Sequence, residues 1–229
     1  MENQTLVELK GVKAFHRKKQ ILNGVDLTVN KGEFVYLIGK TGSGKSSILK
    51  VLYKEMDIAE GSGEVVGLDL KKLKYSRVHK LRRQLGVIFQ DFQLLPDRTV
   101  EDNLLFVMEA TGWKDKKAMK SHAELTLNQV NLPDVAAKFP HQLSGGQQQK
   151  VAIARAMINS PKVILADEPT GNLDPESSQE IMNLLSAISK GGTAIIMATH
   201  DMDIVNKYPG RVLKCDEGLV SEVQLPDHE

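Results

Sequence analysis

The segment Phe34-Val35-Tyr36-Leu37-Ile38-Gly39-Lys40-Thr41-Gly42-Ser43-Gly44-Lys45-Ser46-Ser47 decides the fold of this chain of 229 residues. Its first five residues are a short apolar run rich in β-forming side chains, which predicts a buried strand. The next eight residues complete the pattern Gly-x-x-x-x-Gly-Lys-Ser, and the stretch 46–53 has helical spacing of its apolar residues. Strand, glycine-rich loop and helix in this order are the context of a phosphate-binding loop.

Each part of this loop has a physical task at a nucleoside triphosphate. Glycines let successive backbone N–H groups approach the phosphates, and the N-terminus of the following helix adds its positive end. We expect Lys45 to reach the β- and γ-phosphates and the hydroxyl of Ser46 to ligate Mg²⁺. The candidate nucleotide-binding residues here are Gly39, Lys40, Thr41, Gly42, Ser43, Gly44, Lys45, Ser46 and Ser47. The alternative, a chance glycine-rich turn, is disfavoured by the complete pattern and its flanking strand.

A second possible phosphate site lies far along the chain, at Leu143-Ser144-Gly145-Gly146-Gln147. It precedes a predicted helix from Gln147 to about Asn159. Ser144 is a natural N-cap, and the two glycines permit close backbone approach, so this helix start could hold an anion. Taken alone, the stretch fits an ordinary capped helix better, because such caps are common.

Two adjacent carboxylates follow another predicted buried strand, Val163 to Ala166. The carboxyl end of a strand beside a phosphate loop is where open parallel sheets place ligand chemistry. We therefore expect Asp167 to hold Mg²⁺ directly or through water, and Glu168 to orient and deprotonate an attacking water. In isolation, such a pair would more simply be a solvated turn.

Taken together, these motifs resemble those of ABC-type ATPases. Leu-Ser-Gly-Gly-Gln is the signature of that family, in which it closes over the γ-phosphate of ATP bound to the phosphate loop of a second copy. The resemblance implies that Ser144, Gly145, Gly146 and Gln147 contact nucleotide across a dimer of two such chains. It also implies that Asp174, in the stretch 169–174, lies where the two copies meet.

The same resemblance assigns roles to three further residues. The predicted strand 193–199 ends at His200, where the family has a histidine that contacts the γ-phosphate, so Glu168, His200 and Gln90 are the expected catalytic residues. Gln90 would also sense Mg²⁺, beside the ligands Ser46 and Asp167. Phe15 stands where the family places an aromatic side chain that stacks on adenine; a buried position in an edge strand is its alternative. The other histidines are expected to be surface residues: His16, His79, His122, His141 and His228.

Composition restricts the possible partners and cellular location of the chain but does not identify its function. Thirty basic and twenty-nine acidic residues give a net charge of +1, which indicates neither a nucleic acid nor a membrane surface as partner. One cysteine excludes an intramolecular disulfide. No apolar run approaches the ~20 residues that span a bilayer. Composition therefore predicts a cytoplasmic chain, and the family resemblance implies that a permease-like transmembrane partner holds it at the inner face of the cell membrane.

The order of predicted elements gives the fold class. Alternating residues in 5–10 and 20–29 predict antiparallel strands ahead of the phosphate loop, and strands follow at 63–68, 85–89, 162–166, 193–199, 211–215 and 219–223, with a helix at 76–83. The expected fold is α/β: a P-loop NTPase core of a mixed sheet with helices on both faces, plus an antiparallel β subdomain. In the single domain 1–229, residues 1–90 and 160–229 form the core, and 91–159 form an inserted helical subdomain that carries the signature.

Within the family, the stretch Leu81 to Asn103 is most similar to the cell-division branch, with Asp97-Arg98-Thr99-Val100 as its discriminating part. That branch implies an ATP-driven motor for a membrane partner, and the segment Phe92–Thr99 is expected to meet that partner. Its apolar residues indicate either an exposed binding patch or a loop tucked into the core. An ATPase of a lipoprotein or macrolide exporter stays open as an alternative. A nucleotide-gated clamp without hydrolysis is disfavoured because all the catalytic residue types are present.

Overall fold

The computed structural model describes residues 4–224, which form two β-sheets. Four strands pair antiparallel in the order β2-β1-β4-β5: β1 (Thr5–His16), β2 (Lys19–Asn30), β4 (Glu60–Val65) and β5 (Leu68–Asp69). Six strands form the second sheet in the order β10-β9-β3-β8-β7-β6: β3 (Phe34–Ile38), β6 (Leu85–Ile88), β7 (Val163–Asp167), β8 (Ala194–Thr199), β9 (Arg211–Asp216) and β10 (Leu219–Glu222). Within it, only β10 runs antiparallel to its neighbour, so the sheet is mixed, as predicted.

The register of the parallel strands brings the predicted site to one edge of the sheet. Ile38, the last residue of β3, pairs with Thr199, the last residue of β8, and Asp167 of β7 pairs with Ala198. The phosphate loop, the two carboxylates and His200 therefore all follow the carboxyl ends of neighbouring strands. This edge is where α/β sheets bind ligands.

Seven α-helices and two apolar cores flank the six-stranded sheet in the described part of the chain. The helices are α1 (Lys45–Leu52), α2 (Val78–Arg82), α3 (Val100–Ala110), α4 (Lys116–Gln129), α5 (Gly145–Met157), α6 (Pro175–Lys190) and α7 (Met202–Lys207). Alternate residues of β3 point to opposite faces: Val35 and Leu37 pack with α1, α2 and the antiparallel sheet, whereas Phe34 and Tyr36 pack with α3 to α7. Helices thus cover both faces, as the fold class requires.

Several element boundaries differ from those predicted. The hairpin strands β1 and β2 are longer than expected, and the helix predicted at 76–83 is a single 3₁₀ turn, Tyr75–Arg77, followed by α2. Helices α6 and α7 were not predicted. His122 is half-buried rather than on the surface: its Nε2 lies 3.0 Å from the carbonyl oxygen of Ile158 and its ring stacks on Trp113. His228 lies outside the described residues.

Residues 4–224 include no helix that is both long enough and apolar enough to cross a membrane.

Asn23 N donates to the carbonyl of Gly218 at 2.8 Å, so the turn between β9 and β10 is tied directly to the antiparallel sheet. The phosphate loop lies beside this junction.

Candidate nucleotide-binding and hydrolysis site

The phosphate loop closes around its own lysine. Lys45 begins α1 and is only 7% exposed, and its Nζ donates to the carbonyl oxygens of Gly39 at 2.7 Å and Lys40 at 3.3 Å. Gly39 has φ +145°, and a Cβ there would lie 2.3 Å from the carbonyl oxygen of Cys215. Glycine is therefore required at this position for both its conformation and its clearance. The loop holds a positive charge at the N-terminus of a helix, which favours binding of phosphate.

The two proposed magnesium ligands from the chain meet directly. The hydroxyl of Ser46 donates to Oδ1 of Asp167 at 3.1 Å. Burial raises the pKa of Asp167 and the neighbouring Glu168 raises it further, whereas the bond from Ser46 and the charge of Lys45 oppose the rise. A hydroxyl and a carboxylate are the hard oxygen donors that Mg²⁺ prefers, so the pair fits that ion.

No cluster of three or more His, Cys, Asp or Glu side chains that could bind a metal occurs in residues 4–224. A metal held by the carboxylate of Asp167 and the hydroxyl of Ser46 would take its remaining ligands from phosphate oxygens, water and the side chain expected from Gln90. Mg²⁺ commonly binds in this way at nucleotide sites.

Glu168 and His200 form the second contact at the sheet edge. Nδ1 of His200 lies 2.9 Å from Oε1 of Glu168. Glu168 has left-handed backbone, with φ +48°, while its N–H still donates to the carbonyl of Ala198 at 2.9 Å. Such a conformation is unfavourable for a residue with a side chain and is found often at functional sites. Because of this conformation the chain leaves β7 directly after Asp167, and the side chain of Glu168 points towards His200.

Gln90 lies beside the turn that follows Glu168. Its carbonyl accepts from Nδ2 of Asn172 at 3.0 Å, and a Cβ on Gly171 would lie 3.0 Å from its Nε2. That turn ends at Asp174, whose carboxylate caps α6 by accepting from the N–H of Ser177 at 2.9 Å. Hydrogen bonds from Ser177 lower the pKa of Asp174.

The signature motif forms a capping box at the start of α5. The N–H of Gln147 donates to Oγ of Ser144 at 3.3 Å, and the N–H of Ser144 donates to Oε1 of Gln147 at 3.1 Å. Both parts of this box are exposed, and Gly145 approaches the side chains of Leu173 and Phe92. Within the described residues, no hydrogen bond joins this helix start to the phosphate loop of the same chain.

Phe15 is 41% exposed near the end of β1 and is not part of either core. Its ring is therefore available for stacking. The alternative of a buried edge-strand position is not what the structure shows.

Three polar side chains hold backbone segments near the site by hydrogen bonds. The sequence shows them only as polar residues within helices and does not predict these contacts. Arg155 of α5 donates to the carbonyls of Phe92 and Gln93, which both have left-handed backbone. The other two are Asn103 of α3, which bonds the loop at Leu95, and Gln149 of α5, which bonds the carbonyl of Pro169. Helical periodicity predicts that a position is buried, but not which backbone atom it meets.

The fold and the site together define a class of protein. A phosphate loop after β3, a carboxylate pair after β7, a histidine after β8 and a capped signature helix are the parts of an ABC-type P-loop ATPase. A sequence model of the family described as ABC transporter matches residues 22–171, and the chain belongs to that family. It is an ATPase that binds nucleotide.

The relatives of the chain narrow this class. The cell division ATP-binding protein FtsE of Streptococcus pneumoniae is 45% identical over 217 residues, 94% of each chain. FtsE of Escherichia coli K12 is 41% identical over 206 residues, 90% of this chain and 92% of that one. The expected similarity to the cell-division branch of the family is thus confirmed.

Solved structures agree with this assignment. A dimeric structure of a post-hydrolysis state of the ATP-binding cassette MJ0796 bound to ADP and Pi has a TM-score of 0.83 and 33% identity. It covers 97% of this chain and 100% of its own. Another dimeric structure of MJ0796, described as a bacterial ABC transporter cassette, has a TM-score of 0.85 at the same identity and coverage.

Proposed function

We propose that this chain is the ATP-hydrolysing motor subunit of a membrane complex in cell division, and that two copies close around ATP. The observation that carries the proposal is the 2.9 Å contact between Glu168 and His200. Glu168 directly follows Asp167, whose carboxylate accepts a hydrogen bond from Ser46. These groups lie at the sheet edge that holds the phosphate loop. A base, an orienting histidine and a metal-ligand pair are the groups that hydrolysis of a phosphoanhydride needs.

The residues divide into binding and hydrolysis. Lys45 and the N–H groups of the phosphate loop bind the β- and γ-phosphates, and Phe15 stacks on adenine. Ser46 and Asp167 hold Mg²⁺, which neutralises charge on the phosphate oxygens when bound. Glu168 accepts a proton from the attacking water, a role worth ~10²–10⁴-fold in rate. His200 orients that carboxylate and faces the γ-phosphate, and Gln90 reports the state of the site to the segment Phe92–Thr99.

A second copy completes each site. The exposed capping box of Ser144 and Gln147 marks the start of α5, where an anion is favoured, and within residues 4–224 it makes no hydrogen bond to the phosphate loop of its own chain. In the proposed dimer this surface closes over the nucleotide of the other chain, with Asp174 at the contact between copies. The dimeric cassettes of similar fold support this arrangement.

The partner is proposed to be a permease-like transmembrane subunit similar to FtsX, which would hold the chain at the inner face of the membrane. The proposed docking groove lies between β6, an edge strand, and helices α3 and α5, and a segment of the partner's cytoplasmic part would fill it. Its lining is mainly apolar and includes Val87, Phe89, Leu95 and Phe106. Arg98 stacks over the 43%-exposed ring of Phe106 at 4.7 Å and so adds charge at the rim.

The hydrolytic assignment is tested with Glu168→Gln. Because Glu168 acts on water and Lys45 on phosphate, Glu168→Gln should keep ATP affinity, lose at least ~100-fold in turnover and accumulate as an ATP-bound dimer. Lys45→Ala should weaken ATP binding itself. Size-exclusion chromatography with ATP and Mg²⁺, together with phosphate release, measures both effects. Glu124→Gln, the same change on the surface of α4, is the control, and normal turnover by Glu168→Gln would refute the assignment.

A further inference from the structure

Helix α5, which carries the signature motif, is fixed within its own chain to the turn that follows Glu168. The side chain of Gln149 is completely buried, and its Nε2 donates to the carbonyl of Pro169, the residue directly after Glu168. One turn earlier, Gly146 packs so closely on α6 that a Cβ there would lie 2.6 Å from Oγ of Ser177. Helix, turn and α6 therefore form one packed unit.

The amide of Gln149 is an unusual choice for this position if packing is its only task. Its Oε1 is buried and accepts no hydrogen bond from residues 4–224. Burying an unpaired polar atom is unfavourable. A methionine of similar length would fill the same space without that penalty. The favourable contribution of the amide is thus its bond to the carbonyl of Pro169.

The two ends of this bond serve different nucleotides, provided that the dimer proposed above is correct. The signature helix of one chain closes over the ATP of the second copy, whereas Glu168 acts on the ATP of its own chain. The bond from Gln149 to Pro169 would therefore pass a displacement of α5 to the backbone next to Glu168. Within the same turn, Gly171 N also donates to the carbonyl of Glu168, at 3.1 Å.

We propose that Gln149 is a positioning residue that links the two composite sites of the dimer. It holds the signature helix for the partner copy's nucleotide and the turn at Pro169 for its own Glu168. Removing the amide should therefore impair both sites, although the side chain touches neither nucleotide.

Heterodimers with a single working site separate the two tasks. One chain carries Ser144→Ala and the other carries Lys45→Ala. The single intact site then consists of the phosphate loop and Glu168 of the first chain and the signature motif of the second. Gln149→Met is then placed in either chain. We expect ATP turnover per heterodimer to fall about three- to tenfold in each placement, the effect of losing one hydrogen bond at the transition state. Nucleotide affinity of the isolated chains and their thermal midpoints should stay close to the parent values.

The matched control is Gln148→Met, the same change at the preceding position of α5. Nε2 of Gln148 bonds the carbonyl of Leu143 at 3.2 Å, at the start of its own helix, and not the turn after Glu168. Turnover by this variant should stay within about twofold of the parent.

Four results would overturn the link. A loss confined to one of the two placements would show that Gln149 supports a single element, and no loss in either would show that the bond is dispensable. A parallel loss of nucleotide binding by the isolated Gln149→Met chain would indicate general unfolding. If the parent heterodimer is itself inactive while the wild-type protein hydrolyses ATP, the proposed composite site fails and the link with it. An active parent with unaffected Gln149→Met heterodimers overturns the link alone.

Discussion

At the scale of single residues, backbone conformation decides where the reactive groups point. Glu168 leaves β7 with φ +48°, and this single left-handed residue separates two adjacent carboxylates. Asp167 faces Ser46 at the phosphate loop, and Glu168 faces His200. The two carboxylates thus point to different partners although they are neighbours in sequence, as the proposed roles of metal ligand and base require.

Ser144 is the residue for which an ordinary structural role and a functional role predict different results. If it only caps α5, Ser144→Ala should lower the free energy of unfolding by ~1 kcal/mol and leave turnover nearly intact. We expect turnover to collapse while the monomer still binds nucleotide, because in the proposed dimer the exposed capping box meets the partner copy's γ-phosphate. Phosphate release and urea denaturation measure the two quantities.

The control for Ser144→Ala is Asp115→Ala. Asp115 caps α4 by accepting from the N–H groups of Lys117 at 2.9 Å and Ala118 at 3.1 Å. Removal of the Asp115 carboxylate should lower the free energy of unfolding by a similar amount and leave ATP turnover unchanged. Equal ATPase rates in the two variants would return Ser144 to the role of a simple cap.

At the scale of elements, the segment Phe92–Thr99 is held in place by helices from both sides. Arg155 of α5 bonds the carbonyls of Phe92 and Gln93, and Nδ2 of Asn103 of α3 bonds the carbonyl of Leu95 at 3.1 Å. Leu94 packs on the helical core, and Phe92 and Leu95 are half-buried. The segment is neither fully exposed nor fully buried, so part of its apolar surface remains accessible for the proposed partner.

Removing the guanidinium with Arg155→Met should loosen this segment locally. Two hydrogen bonds from a charged donor are lost, each worth about 1.5–3 kcal/mol, at residues with unfavourable left-handed backbone. We expect amide hydrogen exchange in residues 92–99 to accelerate at least ~10-fold, while exchange in β7 and β8 changes little. Arg83→Met, at an exposed arginine after α2, is the control. Unchanged exchange in 92–99 would contradict the role assigned to Arg155.

At the scale of the whole molecule, the groove between β6, α3 and α5 is the surface that we propose for the membrane partner. Leu95→Asp and Phe106→Asp each place a charge in this apolar lining, so both should abolish co-purification with the FtsX-like subunit. ATP binding by the isolated chain should persist, since neither residue lies at the phosphate loop. The same variants should fail to restore normal division in cells that lack the gene.

Leu125→Asp is the matched control for the groove. Leu125 is 61% exposed on α4 and does not line the groove, so the same change there should leave the complex intact. Complexes that survive both groove variants would refute the docking surface, while recovery of an exporter permease with normal division would refute the division role and leave the ATPase assignment standing.

The sequence by itself determined the parts of this protein whose signal is local. Strand 34–38 and its glycine loop, the cap at Ser144 and the carboxylates after strand 163–166 are each specified by a few adjacent residues, and all are present in the structure. Phosphate binding needs a run of backbone N–H groups in one loop, so its residues must be contiguous. Helices α6 and α7 were not predicted, although Pro175 opens α6 and Asp174 and Asp201 cap the two helices.

Only the tertiary structure decided which distant atoms meet. The contacts between Ser46 and Asp167 and between Glu168 and His200 span 121 and 32 residues of sequence, and they arise from the register of β3, β8 and β7. The bonds of Arg155 and Gln149 to backbone carbonyls could not be predicted from the sequence either, because a carbonyl is present at every residue. Strand order and helix packing are collective properties of the core. They determine which carbonyl each of these side chains meets. For Gln149 it is the carbonyl of Pro169, so α5 is joined to the turn that follows Glu168.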